Sequence, residues 1–173
     1  DSKYVVTGSG DHTARTWDLN GNELLVYSNH TAPVFKVTFS PDGKYILTAS
    51  ADRTAKLWDM EGNIVQDYDH HQATLTSAKF SPDGNFIITT SEDKTARIWE
   101  VSGKEIALLN NHESTVTDAN FSPDGKNIIT ASADKTARLW DRESNELHVL
   151  RGHKAKIVTV VFSPDGRLIL TAS

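Results

Sequence analysis

The stretch SPDGKYILTASADRTAKLWD, residues 40–59, decides the fold of this chain, because nearly the same residues return at 81–100 and again at 122–141. The tryptophan near its end recurs with a fixed step of 41 residues, as do the proline and the aspartate of its turns. The four tryptophans are Trp17, Trp58, Trp99 and Trp140. A fixed period of roughly 20–50 residues without insertions predicts a repeat protein in which each repeat packs on the next.

Each repeat contains four short strand-like segments separated by turns. Residues 34–39 alternate in the manner of a half-buried strand, and residues 45–50 are rich in β-branched and aromatic side chains. Between them, Ser40-Pro41-Asp42-Gly43 favours a tight turn, because proline presets φ, aspartate bonds to the backbone and glycine tolerates positive φ. Two more segments, 54–60 and 64–68, follow after short turns. The pattern predicts seventeen strands in the whole chain and essentially no helix.

Four antiparallel strands repeated every 40–45 residues or so are typical of the blades of a β-propeller. The sequence therefore predicts an all-β fold, a propeller region over residues 1–173 with about four blades and both ends in mid-repeat. Its parts are a partial blade (1–29), three whole blades (30–70, 71–111 and 112–152) and a second partial blade (153–173). Apolar first-strand positions such as Val34, Val37 and Phe39 are expected to form the core between blades.

The charge balance and the composition argue against several classes of partner. The chain has 18 basic and 23 acidic residues and a net charge of −5, so it lacks the basic footprint of a nucleic-acid or anionic-membrane binder. Its apolar runs are far shorter than the roughly 18 residues of a membrane span. The absence of cysteine fits a reducing interior. We expect a cytoplasmic protein with neither a nucleic-acid nor a membrane partner.

Histidine, threonine, aspartate and Trp-Asp recur in the same order in every whole repeat, and in this the chain resembles the WD40-repeat family along virtually its whole length. The resemblance implies a hydrogen-bonded tetrad inside each blade. The tetrads are His30, Thr48, Asp52 and Trp58; His71, Thr89, Asp93 and Trp99; and His112, Thr130, Asp134 and Trp140. Two departures from the family pattern are tolerable: glycine precedes the histidine only at Gly152, and the third repeat ends in Trp99-Glu100.

Rings of this family usually hold more blades than this chain supplies, which leaves two ways of closing the ring. Either the chain is part of a larger ring, or two copies join head to tail into a ring of about eight blades. We favour the larger ring, because both ends stop in mid-repeat.

Histidine beside aspartate and a hydroxyl invites a catalytic interpretation, since these groups carry out acyl transfer in hydrolases. A catalytic set is needed once per site, whereas this set repeats in every blade beside an indole that occupies the hydroxyl. The adjacent His70 and His71 would point to opposite faces of a strand, which argues against a metal site. We therefore expect no catalytic residues, no metal and no cofactor.

The resemblance also implies where partners bind, because in this family the residues just after the tetrad histidine and just before the tetrad aspartate line one mouth of the channel. The candidate residues are Thr31, Pro33, Phe35, Gln72, Thr74, Thr76, Glu92, Glu113, Thr115, Thr117, Lys154 and Lys156. They differ from repeat to repeat, as a diversified binding face would. An equally good alternative is that any exposed position drifts. Phe35 is the best anchor, because an aromatic side chain at the mouth can fill a partner's pocket.

The resemblance implies a non-catalytic scaffold that binds proteins or peptides, with self-association or further blades closing the ring. An alternative is a ligand-sensing, autoinhibitory module of a larger nucleotide-switch (STAND-type) NTPase. Arrays as uniform as this one are similar to those of bacterial signalling and defence proteins. A propeller hydrolase is a remote alternative, which would need unique polar residues converging on the channel.

Overall fold

The computed structural model describes residues 3–173, and these residues form seventeen β-strands in five antiparallel sheets. We number the sheets blades 1 to 5 in chain order. Each blade is a meander in which consecutive strands pair. The first strands of blades 2 to 5 lie side by side, so the blades fan out around a common axis. The predicted all-β propeller architecture is confirmed, as an incomplete ring.

The strand bounds follow the 41-residue period. Blade 1 contains β1 (Tyr4–Gly8), β2 (Ala14–Asp18) and β3 (Glu23–Tyr27). Blade 2 contains β4 (Val34–Phe39), β5 (Tyr45–Ser50), β6 (Ala55–Asp59) and β7 (Ile64–Tyr68). Blade 3 contains β8 (Leu75–Phe80), β9 (Phe86–Ser91), β10 (Ala96–Glu100) and β11 (Glu105–Leu109). Blade 4 contains β12 (Val116–Phe121), β13 (Asn127–Ser132), β14 (Ala137–Asp141) and β15 (Glu146–Leu150). Blade 5 contains β16 (Thr159–Phe162) and β17 (Ile169–Ala172).

The turn after the first strand of each blade is closed by its own side chains. In blade 2, Ser40 Oγ donates to Asp42 Oδ1 at 2.7 Å and accepts from the backbone N–H of Tyr45 at 2.9 Å. Gly43 adopts a φ of 71°, a left-handed conformation that costs glycine little. This end of the blades, with the Ser-Pro-Asp-Gly turns, is called the lower end below. The tetrad aspartates lie in the turns at the opposite, upper end.

The third strand begins and ends one residue inside the predicted segment 54–60. Thr54 stays in the turn because its backbone N–H and its hydroxyl both donate to Asp52 Oδ1, at 3.0 and 2.7 Å. The last turn of blade 4, which lacks a glycine, still closes, and Ser144 takes the left-handed φ of 66° there.

The core lies between the blades, as the first-strand pattern predicted. Leu47, Ala55 and Leu57 of blade 2 pack on Leu75 and Trp99 of blade 3 in one buried cluster. Burying both faces of a narrow sheet in this way removes apolar surface that a single blade leaves in water.

The two end faces of the array are open. Leu47, Ile88 and Ile129 occupy equivalent positions and are at most 1% exposed, whereas their counterpart Leu170 in blade 5 is 69% exposed. Val5, on the opposite face of blade 1, is 46% exposed. These faces have the same chemistry as the buried junctions. Within residues 3–173, no helix is long and apolar enough to cross a membrane.

Candidate interaction face and the tetrads beneath it

The structure brings the four predicted residues together in each whole blade. In blade 3, His71 Nδ1 donates to Asp93 Oδ2 at 2.8 Å, and Thr89 Oγ1 donates to His71 Nε2 at 2.8 Å. The indole N–H of Trp99 donates to Thr89 Oγ1 at 2.9 Å. Blades 2 and 4 repeat these contacts at 2.7–3.0 Å. Each buried polar group of the tetrad therefore has a partner.

The tetrad aspartate also holds the loop that enters the blade. Asp52 Oδ2 accepts the backbone N–H of Thr31 at 3.0 Å, and Asp93 and Asp134 hold Gln72 and Glu113 in the same way. The residue after each tetrad histidine is therefore fixed at the upper end of its blade, with its side chain exposed.

The protonation states of the tetrads follow from burial and hydrogen bonding. Burial lowers the pKa of His112 and outweighs the opposing pull of Asp134, so the imidazole is neutral. Burial works to raise the pKa of Asp134, but hydrogen bonds from Thr136, His112 and backbone N–H groups lower it to about 2. His30 and Asp52 shift in the same directions for the same reasons.

The partial blades keep fragments of the tetrad. In blade 1, the indole N–H of Trp17 donates to Thr7 Oγ1 at 2.8 Å. In blade 5, His153 Nε2 lies 2.7 Å from Thr171 Oγ1, and its Nδ1 lies 2.9 Å from Ser173 Oγ rather than from a carboxylate.

This geometry does not favour nucleophilic catalysis. Each tetrad hydroxyl is fully buried and held between an imidazole and an indole, so it cannot approach a substrate carbonyl. Across the described residues, no group of three histidine, cysteine, aspartate or glutamate side chains is placed to hold a metal ion.

The candidate binding residues lie at the upper end of the blades, and none of them is buried. Two loops meet there in each whole blade: the backbone N–H of Glu92 donates to the carbonyl of Thr74 at 2.9 Å, and the pairs Ala51–Pro33 and Ala133–Thr115 do the same. Lys154 and Lys156 lie exposed on the corresponding loop of blade 5. The structure thus gathers the predicted positions on one face.

Three of these residues occupy a β-bulge in the first strand of their blade. The strand pairing skips one residue in each whole blade, at Phe35, Thr76 and Thr117. A bulge redirects a side chain out of the regular alternation. Phe35 is 55% exposed. By contrast, the hydroxyl of Thr76 donates to the carbonyl of Val116 at 2.5 Å, and that of Thr117 to the carbonyl of Ile157 at 2.6 Å. The two threonines are therefore also bridges between blades.

Sequence reasoning missed a second set of bridges lower on the first strands. Asp118 is 5% exposed, and its carboxylate accepts from Lys79 Nζ of blade 3 at 2.6 Å and from the hydroxyl of Thr159 of blade 5 at 2.8 Å. The position one repeat earlier holds Ser77 and two repeats earlier Lys36, so this role cannot be recognised from the repeat pattern.

Comparison with known proteins gives a family and a short local match. The sequence model of the "WD domain, G-beta repeat" family matches residues 1–18, 21–59, 62–100, 103–141 and 144–173. The ribosome biogenesis protein YTM1 of Saccharomyces cerevisiae, in strains YJM789 and ATCC 204508 / S288c, is 45% identical over 38 residues. That match covers 22% of this chain and 8% of the yeast protein, so the chain spans only a small part of these curated relatives.

Proposed function

The chain belongs to the WD40-repeat family, and we propose that it works as a non-catalytic scaffold that binds protein or peptide partners on the upper face of the propeller. Domains of this family generally serve as platforms for protein interaction. The choice of the upper face comes from the contrast between a repeated framework and a varied surface.

That contrast is the observation that carries the proposal. The tetrad distances agree within a few tenths of an ångström in the three whole blades, and every tetrad fixes the loop residue that follows its histidine. In the whole blades these fixed positions hold Thr31, Gln72 and Glu113, and the residue after the histidine of the partial blade 5 is Lys154. The same backbone position is thus presented with a hydroxyl, an amide, an acid and a base, which is how a rigid scaffold acquires a specific surface.

Phe35 supplies the apolar anchor of this face. An aromatic side chain that is more than half exposed at the start of an inner strand offers a large contact area with few rotatable bonds. The polar residues around it would serve as the rim of the interface.

Site-directed photocrosslinking tests the proposal. A photoreactive phenylalanine analogue is placed at Phe35 and, as a matched control, at Leu24, which is also exposed but lies on the outer strand β3. In the native cell extract, we expect crosslinks to a discrete partner from position 35 and not from position 24. Equal crosslinking from both positions, or from position 24 alone, would contradict the upper-face assignment.

The sensor module is the second candidate, and the uniform 41-residue step across the chain favours it. It requires a nucleotide-binding domain in the same protein. Binding of a fluorescent ATP analogue to the complete protein purified from its source would support the sensor module. The absence of any binding signal at high analogue concentration would argue against the sensor module and favour the scaffold function.

A further inference from the structure

A cavity of about 300 Å³ opens at the lower end of the junction between blades 3 and 4. Its walls are the apolar side chains of Phe86, Ile98, Ile106 and Phe121. Arg142 and the two residues after it form its rim. The cavity lies at the opposite end of the blades from the candidate interaction face and has no part in the function proposed above.

The equivalent place in the two preceding junctions is filled by a side chain. Leu25 of blade 1 lies under Gly62 of blade 2, where an added Cβ would come within 3.0 Å of its side chain. Gln66 of blade 2 lies even more closely under Gly103 of blade 3. In the third junction the corresponding residue is Ala107, which is too short to fill the space.

Two further departures from the repeat fall in the same junction; in the preceding one, the hydroxyl of Tyr68 donates to the carbonyl of Val101 at 2.9 Å. Tyr27 and Tyr68 are followed in the repeat order by the smaller Leu109. The apolar Met60 and Val101, which pack on the preceding blade, are followed by Arg142. Departures from an otherwise uniform repeat thus converge on one junction.

Arg142 is held in a position where it can receive an anion. Its guanidinium lies over the ring of Phe86, 4.5 Å from the ring centroid, and its Nε donates to the carbonyl of Gly125. Among the carboxylates that the structure describes, the one paired with Arg142 is Asp83, and its Oδ2 lies 3.9 Å from Nη2, which is too long for a hydrogen bond. A guanidinium has five N–H donors in a planar fork, and about a third of this side chain is exposed.

We propose that this cavity is a docking site for a peptide segment that presents an aromatic or branched aliphatic side chain next to a carboxylate. The apolar side chain enters between Ile98 and Phe121, and the carboxylate binds Arg142. The match of an apolar wall to an apolar group and of a cation to an anion selects this occupant over a neutral or basic peptide.

N-Acetylphenylalanine is a suitable probe because it carries an aromatic ring and a carboxylate, and its amide is the matched neutral control. The 173-residue chain is labelled at the isoleucine δ1 methyl groups and titrated by NMR. We expect saturable shifts at Ile98 and Ile106 with a dissociation constant in roughly the millimolar range, and at least about fivefold weaker binding of the amide.

Two variants refill the cavity with the side chains that the chain itself uses in the other junctions. Ala107→Gln and Ala107→Leu should each weaken binding by about tenfold or more while thermal unfolding remains cooperative. Arg142→Met, which copies Met60, should abolish the preference for the acid over the amide. Glu143→Gln removes the acidic side chain from the rim and should tighten binding.

The reciprocal change, Gln66→Ala, should open an equivalent space between blades 2 and 3. Saturable shifts that persist unchanged in both folded Ala107 variants, an absence of saturable shifts up to about 10 mM probe, or equal affinity for acid and amide would each overturn the proposal.

Discussion

Replacing the tetrad hydroxyl of blade 3 by a methyl group, Thr89→Val, should lower the free energy of unfolding by about 3 kcal/mol. Thr89 is fully buried, and it is the acceptor for the indole N–H of Trp99 and the donor to His71 Nε2. Valine has nearly the same shape, so the change leaves packing intact but leaves two buried polar groups without partners. Each such group costs about 1–3 kcal/mol, which sets the range at about 2–6 kcal/mol.

Blade 3 is the best of the three blades for this measurement. In blades 2 and 4, the hydroxyls of Thr48 and Thr130 also lie 3.4 Å from a backbone carbonyl, which offers them a second acceptor. The matched control is Thr7→Val in blade 1. Among residues 3–173 the Thr7 hydroxyl bonds only to Trp17, and Thr7 is exposed, so water can replace the hydroxyl and we expect a loss below about 1 kcal/mol.

Urea unfolding followed by both far-ultraviolet circular dichroism and tryptophan fluorescence gives the free energy of unfolding and the m-value. Coincident transitions and an unchanged m-value would show that stability alone has changed. A double-mutant cycle with Trp99→Phe isolates the indole bond, because the cost of Thr89→Val should fall when the donor is gone. The reasoning is refuted if Thr89→Val costs no more than Thr7→Val.

Three other predictions follow from the same structure. Acidification should destabilise the chain in two stages. Burial lowers the pKa of His30 and His112 in the folded chain, so these histidines contribute fully to the free energy of unfolding above about pH 6.5. That contribution is lost as the pH falls through their folded pKa values. Asp134 contributes about 2 kcal/mol, because its pKa is about 2 in the folded chain against 3.8 otherwise, and this contribution is lost between about pH 4 and 2. Urea unfolding measured across this pH range should show both stages. A folded Asp134→Asn variant should make the second stage smaller. Leu170→Asp should reduce any self-association of the chain, because the open face of blade 5 exposes the same apolar positions that are buried in the other junctions. Multi-angle light scattering measures this, and an unchanged mass distribution of an associating chain would argue against pairing through this face. His70→Ala should lower the free energy of unfolding by about 0.5–1 kcal/mol, because His70 Nδ1 lies 2.5 Å from Glu105 Oε2 across the junction of blades 2 and 3. His70→Asn should keep most of this stability, since Asn111 makes the equivalent bond to Glu146, and equal stability of the two variants in urea would exclude this role.

The fold could be predicted closely because local and long-range patterns agree. The Ser-Pro-Asp-Gly turn sets the first hairpin through its own side chains, and the 41-residue step shows that one blade repeats. The error at Thr54 arose because a β-branched residue has strand propensity, while its hydroxyl and N–H are both taken by the turn aspartate.

The details of the surface could not be predicted in the same way. The sequence predicts Thr76 and Thr117 as residues of the interaction face, but it does not show that their hydroxyls reach a carbonyl of the next blade, because that distance depends on the angle between blades. The cavity beside Arg142 depends on which side chains meet across a junction. The small size of Ala107 is significant only because Leu25 and Gln66 fill the equivalent space in the other two junctions.

The bulge at Phe35 gives the upper face an exposed aromatic side chain but leaves blade 2 without a hydrogen bond to blade 3 at this position. At the same bulge, Thr76 and Thr117 tie their blades to the next one with a hydroxyl, and a phenyl ring has no hydrogen to donate. The junction between blades 2 and 3, where Phe35 is displayed, therefore lacks the hydroxyl–carbonyl hydrogen bond that joins blades 3 and 4 and blades 4 and 5. A partner that contacts both Phe35 and blade 3 would replace the missing connection between the two blades. Binding at the upper face would therefore reduce the motion of blade 2 relative to blade 3.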